Sequence, residues 1–177
     1  VRVIHTKSEN LQIFGIKKEV FDTDKDVLLC NLYIPPRTSV YANDECYDLL
    51  ETELLKNNYN DYYTLLVGDF NAHTGVLTDY VTLNDDDEET LDVTNVEDTL
   101  RHLNCSMIRS NSDKTKVELY GSRLLRVCKS SGLVIYNGRV TGDKNGDYTT
   151  CKNTCIDYVI GDPRLIAFLD HLEIEDY

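Results

Sequence analysis

The sequence predicts an α/β fold, and three observations carry the prediction. Tyr62 to Val67 is a continuous apolar run apart from Thr64, which suits a strand buried on both faces. Leu11–Ile16 and Asp26–Ile34 are aliphatic segments that end on turn-forming residues, as strands do. Apolar residues recur at helical spacing in two further segments, one before and one after the Tyr62 run. Strands interleaved with helices, together with hairpins, argue an α/β or α+β sheet protein.

In chain order, the opening residues from Val1 already read as strand. The polar stretch Asp22 to Asp26 reads as a hairpin turn between the two aliphatic segments. Pro35-Pro36 ends the second of them, since proline has no N–H for a ladder. Asn43 or Asp44 is placed to cap a helix with apolar positions Cys46, Tyr47, Leu49, Leu50, Leu54 and Leu55, ended by Asn57-Asn58. A second helix is expected from about Tyr120 to Ser131, burying Leu124, Leu125 and Cys128, with Gly132 as its stop. Leu133–Tyr136 and Cys155–Ile160 read as strands, the latter closed by Gly161-Asp162-Pro163. Asn137-Gly138 and Asn145-Gly146 are turn dipeptides.

The 177 residues suit one domain or most of one, and 41% hydrophobic residues are enough for a core. The formal charge of −13 is not that of an ordinary nucleic-acid binder, whose phosphate contacts come from Lys and Arg. A divalent cation between protein and phosphate would weaken that objection, because the ion supplies the positive charge. The acidic stretch Asp79 to Asp98 lacks the ligand spacing of an EF-hand and reads as a solvated loop. Six Cys follow no signal peptide or long apolar segment, so reduced thiols inside a cell are expected and no membrane association is. The start at Val1, without an initiator Met, suggests that residues 1–177 are a partial domain of a longer protein.

Three places combine polar chemistry with strand ends. Gly68-Asp69-Phe70-Asn71 closes the apolar run, and alternation sets Asp69 and Asn71 on one side with Phe70 on the other. Ligand sites of open α/β sheets gather at such ends. A carboxylate orients or deprotonates water and a carboxamide donates to a phosphate oxygen, so the pair suits phosphoester hydrolysis. An Asx-turn is the structural alternative. Asp157 stands inside an apolar run, where a carboxylate needs a partner; it either orients a His or bonds to backbone. Tyr33 near the end of its strand either donates to phosphate or packs. His73 reads as a loop histidine.

Taken in order, these pieces resemble the endonuclease/exonuclease/phosphatase superfamily. The likeness runs through Leu32-Tyr33-Ile34-Pro35-Pro36 and Leu66–His73. It continues through Gly121–Leu125 with Cys128, Leu133–Arg139, Gly142-Asp143, Tyr148-Thr149 and Ile156–Ile160. It is greatest to the endonuclease domain of non-LTR (LINE-type) retrotransposons, which precedes a reverse transcriptase, and it covers roughly Val27 to Asp170. The resemblance implies a four-layered α/β sandwich, here incomplete at both ends, that hydrolyses phosphoesters with Mg2+ or Mn2+. It implies that Asp69 aligns the attacking water, that Asn71 binds the scissile phosphate and orients Asp69, and that Tyr33 bonds the phosphate. Asp157 would orient the catalytic His, and Thr149 would line the site. A DNA substrate and a nuclear location follow from the same likeness.

Two departures matter. The family's metal-binding Glu has no match in the first strands, which leaves Asp69 as the candidate metal ligand. The Ser-Asp-His motif that carries the catalytic His is not matched either, and His171 is not in that context. Little cleavage is therefore expected of these 177 residues by themselves. The expectation is a truncated DNA-nicking endonuclease. The alternatives are a cellular phosphodiesterase or phosphatase of the same superfamily and a folded module without chemistry.

Overall fold

The computed structural model describes residues 1–6, 8–56, 61–82 and 96–175. Six strands form one sheet: β1 (Arg2–Ile4), β2 (Leu11–Ile16), β3 (Asp26–Tyr33), β4 (Tyr62–Asp69), β5 (Val134–Ile135) and β6 (Asp157–Gly161). Their order is β1-β2-β3-β4-β6-β5. β3 and β4 are parallel, and the other neighbours are antiparallel. The helices are α1 (Lys18–Phe21), α2 (Cys46–Lys56), α3 (Val96–His102), α4 (Leu119–Ser131) and the 3-10 helix Pro163–Phe168. The fold is thus mixed α/β, and among the described residues it has one sheet.

The parallel β3–β4 pair follows from the sequence between them. A parallel return needs a crossover, and α2 supplies it. α2 and α4 lie together on one face of the sheet, where Leu11, Ile13, Leu28, Cys30, Leu32, Leu66, Tyr158 and Ile160 meet Tyr47, Leu50, Leu54, Leu124 and Cys128. Each fully buried aliphatic side chain there contributes roughly 1.5–3 kcal/mol. Arg126 pairs with Asp48 across the two helices, and the Ser130 hydroxyl donates to Glu51. Among the described residues, helices cover the opposite face at one end only. There α3 and the 3-10 helix bring Leu100, Leu165 and Ile166 to Tyr63, Leu65, Val134 and Val159.

Several expected elements shift. The link between β2 and β3 is not a tight hairpin, because α1 forms within it and Asp22 turns left-handed at its end. In α2, Leu49 and Leu55 are exposed, since they fall off the stripe that Cys46, Tyr47, Leu50 and Leu54 turn to the sheet. β4 extends two residues past Val67, and Leu65 and Val67 are half-buried rather than fully enclosed, because among the described residues α3 and the 3-10 helix cover this face only in part. β5 is shorter than Leu133–Tyr136, and β6 starts at Asp157. α4 ends at Gly132 with φ 64°, as a C′ glycine does. Asn57-Asn58 and the acidic residues 85–89 lie outside the described residues. Asp79, by contrast, corrects the solvated-loop reading: it is 1% exposed and paired with the equally buried Arg139.

Candidate functional site

The register of the sheet brings three of the expected site residues into one row. Tyr33 stands opposite Asp69 across β3–β4, and Asp69 stands opposite Asp157 across β4–β6. Directly opposed residues present side chains on the same face, with Cβ atoms about 5 Å apart. The row lies at the uncovered end of the sheet. Parallel β3 and β4 both end there, and antiparallel β6 begins there.

Gly68 makes the row possible. Its φ is 150°, and a Cβ on it would lie 1.9 Å from the Leu32 carbonyl oxygen. Only glycine lets β4 approach β3 this closely just before Asp69. Phe70 then turns into the core at 0% exposure and packs on Tyr158 with ring centroids 5.8 Å apart. The Tyr47 hydroxyl of α2 donates to the Phe70 carbonyl, and the Phe70 N–H donates to the Ile156 carbonyl at 2.9 Å. The turn that carries the polar pair is therefore clamped from both sides.

Asn71 adopts φ 46°, a left-handed conformation that asparagine tolerates. Its backbone N–H donates to Asp69 Oδ1 at 2.8 Å, and its Nδ2 donates to the Ile34 carbonyl at 2.8 Å. The Asx-turn is thus formed, and the Asn71 carboxamide lies between the Ile34 carbonyl and the Asp69 carboxylate. Burial raises the Asp69 pKa above the ordinary carboxylate value; the Asp157 charge adds to the rise and the Asn71 N–H opposes it.

Asp157 is half-buried, which corrects the expectation of an enclosed carboxylate in need of a partner. Its backbone, not its carboxylate, carries the bonds: the N–H donates to Thr149 Oγ1 at 3.2 Å and the carbonyl accepts from Asn137 Nδ2 at 3.4 Å. Thr149 also accepts from the Ile156 N–H at 3.1 Å, so it joins the row by fixing the start of β6. No His touches Asp157 among the described residues. A cleft of about 380 Å³ runs beside it, lined by Gly68, Asn137, Thr149, Asp157, Glu173 and Glu175. Tyr33 is 53% exposed, which places its ring outside the core.

Two features were not legible as site residues. Asn137 reads as a turn residue, yet its Oδ1 accepts from the Val159 N–H at 2.9 Å and it lines the cleft. His73 is not an isolated loop histidine: its Nδ1 lies 2.8 Å from Asp113 Oδ2. Asp113 is 4% exposed and also accepts from the Cys155 and Thr115 N–H groups at 3.0 and 2.8 Å. Burial would raise its pKa, but the bonds from Thr115, His73 and Cys155 overcome this and hold it at about 2. These partners are 40 and 42 positions apart in the chain, so no local pattern signals them.

The arrangement offers two carboxylates side by side, a carboxamide bonded to one of them and a phenol in the same row, with an open cleft beside Asp157. Such a donor set accommodates a hard cation that keeps waters or phosphate oxygens as its other ligands. No group of three or more His, Cys, Asp or Glu converges as a metal cage among the described residues. No helix among them is long and apolar enough to cross a membrane. Comparison of the chain with protein-family models, with curated proteins and with solved structures returns no match.

Proposed function

We propose that the chain belongs to a metal-dependent phosphodiester hydrolase, a DNA-nicking endonuclease of the retrotransposon type within the endonuclease/exonuclease/phosphatase superfamily. The observation that carries the reading is the row Tyr33–Asp69–Asp157 on neighbouring strands, with Asn71 bonded to Asp69. In this reading Asp69 orients and deprotonates the attacking water, and its raised pKa suits a base. Asn71 and Tyr33 donate to the scissile phosphate. Asp157 faces Asp69 and in this reading takes the place of the carboxylate that orients the catalytic histidine. Thr149 and Asn137 hold β6 so that Asp157 keeps its register.

Mg2+ or Mn2+ fits the donor set, with Asp69 as the ligand and Asp157 beside it. When bound, the ion neutralises phosphate charge and lowers the pKa of water. The half-buried Val67 and the exposed Tyr33, on the face that α2 and α4 do not cover, support a further layer, as the four-layered sandwich requires. In the full-length protein a reverse transcriptase follows, and the site of action is nuclear.

A second reading has one observation in its favour. Asp69 and Asn71 bond to each other and to Ile34, so both side chains would also serve a purely structural turn. Asp69→Asn separates the two, because asparagine keeps the turn's acceptor and loses the charge. The test is Mg2+-dependent plasmid nicking by the complete reading frame. The expected result is loss of nicking in Asp69→Asn with an unchanged circular dichroism spectrum. Unchanged nicking would overturn the assignment.

A further inference from the structure

Among the described residues, the distribution of cations is uneven. Those far from the strand-end row are paired with carboxylates: Lys17 with Asp26, Lys56 with Glu53, Arg101 with Glu97, Arg126 with Asp48 and Arg164 with Asp162. Around the row, Arg37, Lys114, Lys116, Lys144 and Lys152 are exposed and make no ion pair with the described residues. Arg2, Lys18 and Lys129 are the exposed exceptions elsewhere. Topology explains the grouping. The loop after β3, the loop after β4 and the loop from β5 to β6 emerge at the Asp69 end of the sheet, and the link from α3 to α4 that carries Lys114 and Lys116 is bonded to the last two.

One of these cationic segments is built into place. Asn111 Nδ2 donates to the Gly75 carbonyl at 3.1 Å, and the Ser110 N–H donates to the Gly138 carbonyl at 2.8 Å. Asp113, buried and ionised, joins His73 to the Cys155 N–H. Those contacts tie the segment both to the loop that leaves Asp69–Asn71 and to the loop that enters Asp157. An exposed lysine on a mobile loop loses side-chain and backbone freedom when it meets a phosphate, whereas one on a fixed ridge loses less. The His73 ring, with Nδ1 held by Asp113, has Nε2 without a partner among the described residues and open to solvent.

We propose that the ridge Asn111–Lys116, latched to His73 by Asp113, grips the sugar–phosphate backbone of a polynucleotide beside the Asp69–Asp157 row. The proposal rests on the hydrolase reading for the position of the scissile phosphate, and it makes the substrate a polymer rather than a small phosphoester. A small phosphoester would occupy the row alone. A polynucleotide extends past it on both sides and meets Lys114 and Lys116, while Lys144 and Lys152 stand on the loop before β6. The chain's overall charge of −13 does not oppose this, because fields from distant exposed acids are screened within about 8–10 Å at physiological salt. Glu118 and Asp147 on the same loops, and Glu173 and Glu175 in the cleft beside Asp157, are exposed carboxylates that oppose it locally.

The test is fluorescence anisotropy with a labelled duplex oligonucleotide in EDTA, which needs no cleavage. Lys114→Gln/Lys116→Gln is expected to weaken binding about tenfold and to reduce the salt slope by about two, one per lost phosphate contact. Lys18→Gln/Lys129→Gln, equal in charge change but far from the row, is expected to leave binding within about twofold. Glu118→Gln is expected to tighten binding. Absence of binding by the native chain, equal losses from the two double variants, or an unchanged slope in Lys114→Gln/Lys116→Gln would each overturn the proposal. Asp113→Asn is expected to weaken binding through the latch; if it unfolds, the exposed lysine variants still decide. Ridge-dependent binding without any Mg2+-dependent nicking would sink the hydrolase reading and leave the ridge standing. Nicking that ignores the ridge lysines would do the reverse.

Discussion

Asp79 and Asp69 are both carboxylates in or beside the central sheet, and their surroundings are opposite. Asp79 accepts both hydrogen bonds of a fork from Arg139, each 2.9 Å, and a third from the Ile135 N–H at 2.7 Å. Arg139 spends its other donors on the Ile135 and Ser106 carbonyls at 2.6 and 2.9 Å. Asp69 has one N–H, from Asn71, and faces a second carboxylate in the next strand. The first arrangement satisfies a buried charge and joins the Asp79 segment to β5. The second leaves charge unsatisfied where solvent or a ligand can reach it. Fully partnered polar groups hold a fold; under-partnered ones at strand ends are where chemistry is available.

The widest test of that contrast is stability. Arg139→Met strands a buried carboxylate and is expected to cost about 3–5 kcal/mol. Asp69→Asn removes a like-charge neighbour while keeping the turn's acceptor, and its effect is expected to stay within about 0.5 kcal/mol. Urea unfolding measures both, and similar losses would erase the distinction.

Asp113 offers an intermediate test, since it is buried like Asp79 but bonded mainly by backbone and His73. Its folded pKa of about 2 lies below the ordinary value of 3.8, so its contribution is complete above about pH 4. That contribution disappears as pH falls through about 2 and amounts to roughly 2 kcal/mol. Acid unfolding of Asp113→Asn should lack this step. A step of the same size in the variant would place the acid sensitivity elsewhere.

The smallest expected effect concerns the row itself. Asp157→Asn removes the neighbouring charge that helps raise the Asp69 pKa. On the proposed hydrolase reading, nicking should slow and its acid limb should move to lower pH. An acid limb that stays in place, or moves upward, would show that the two carboxylates are not coupled.

Much of the scaffold was legible in local sequence because its signals are local. Strand alternation, the 3.6-residue stripe of α4 and the Gly132 stop each depend on neighbours within a few positions. The candidate row was legible for the same reason: Gly68-Asp69-Phe70-Asn71 announces a strand that ends on polar groups. Leu49 and Leu55 misled because helical spacing alone does not say which stripe meets the sheet. Asp79 misled because an acidic neighbourhood looks solvated until Arg139, 60 positions away, is brought against it. His73 looked isolated for the same reason, as Asp113 reaches it only through the folded loops.

The sequence by itself determined that this is a mixed α/β sheet protein, that Asp69, Asn71 and Tyr33 stand at or near strand ends and that Asp157 belongs to the last strand. Those properties follow from side-chain periodicity and from what Gly, Pro and Asn do to a backbone. Only the tertiary structure decided that Tyr33, Asp69 and Asp157 share one row, that Asn71 is bound to Asp69 and Ile34, and that Asp79 is buried and ion-paired while Asp69 is half-buried beside Asp157. Register and pairing are long-range choices. They are made by which faces bury together, and no single segment of the chain contains that information.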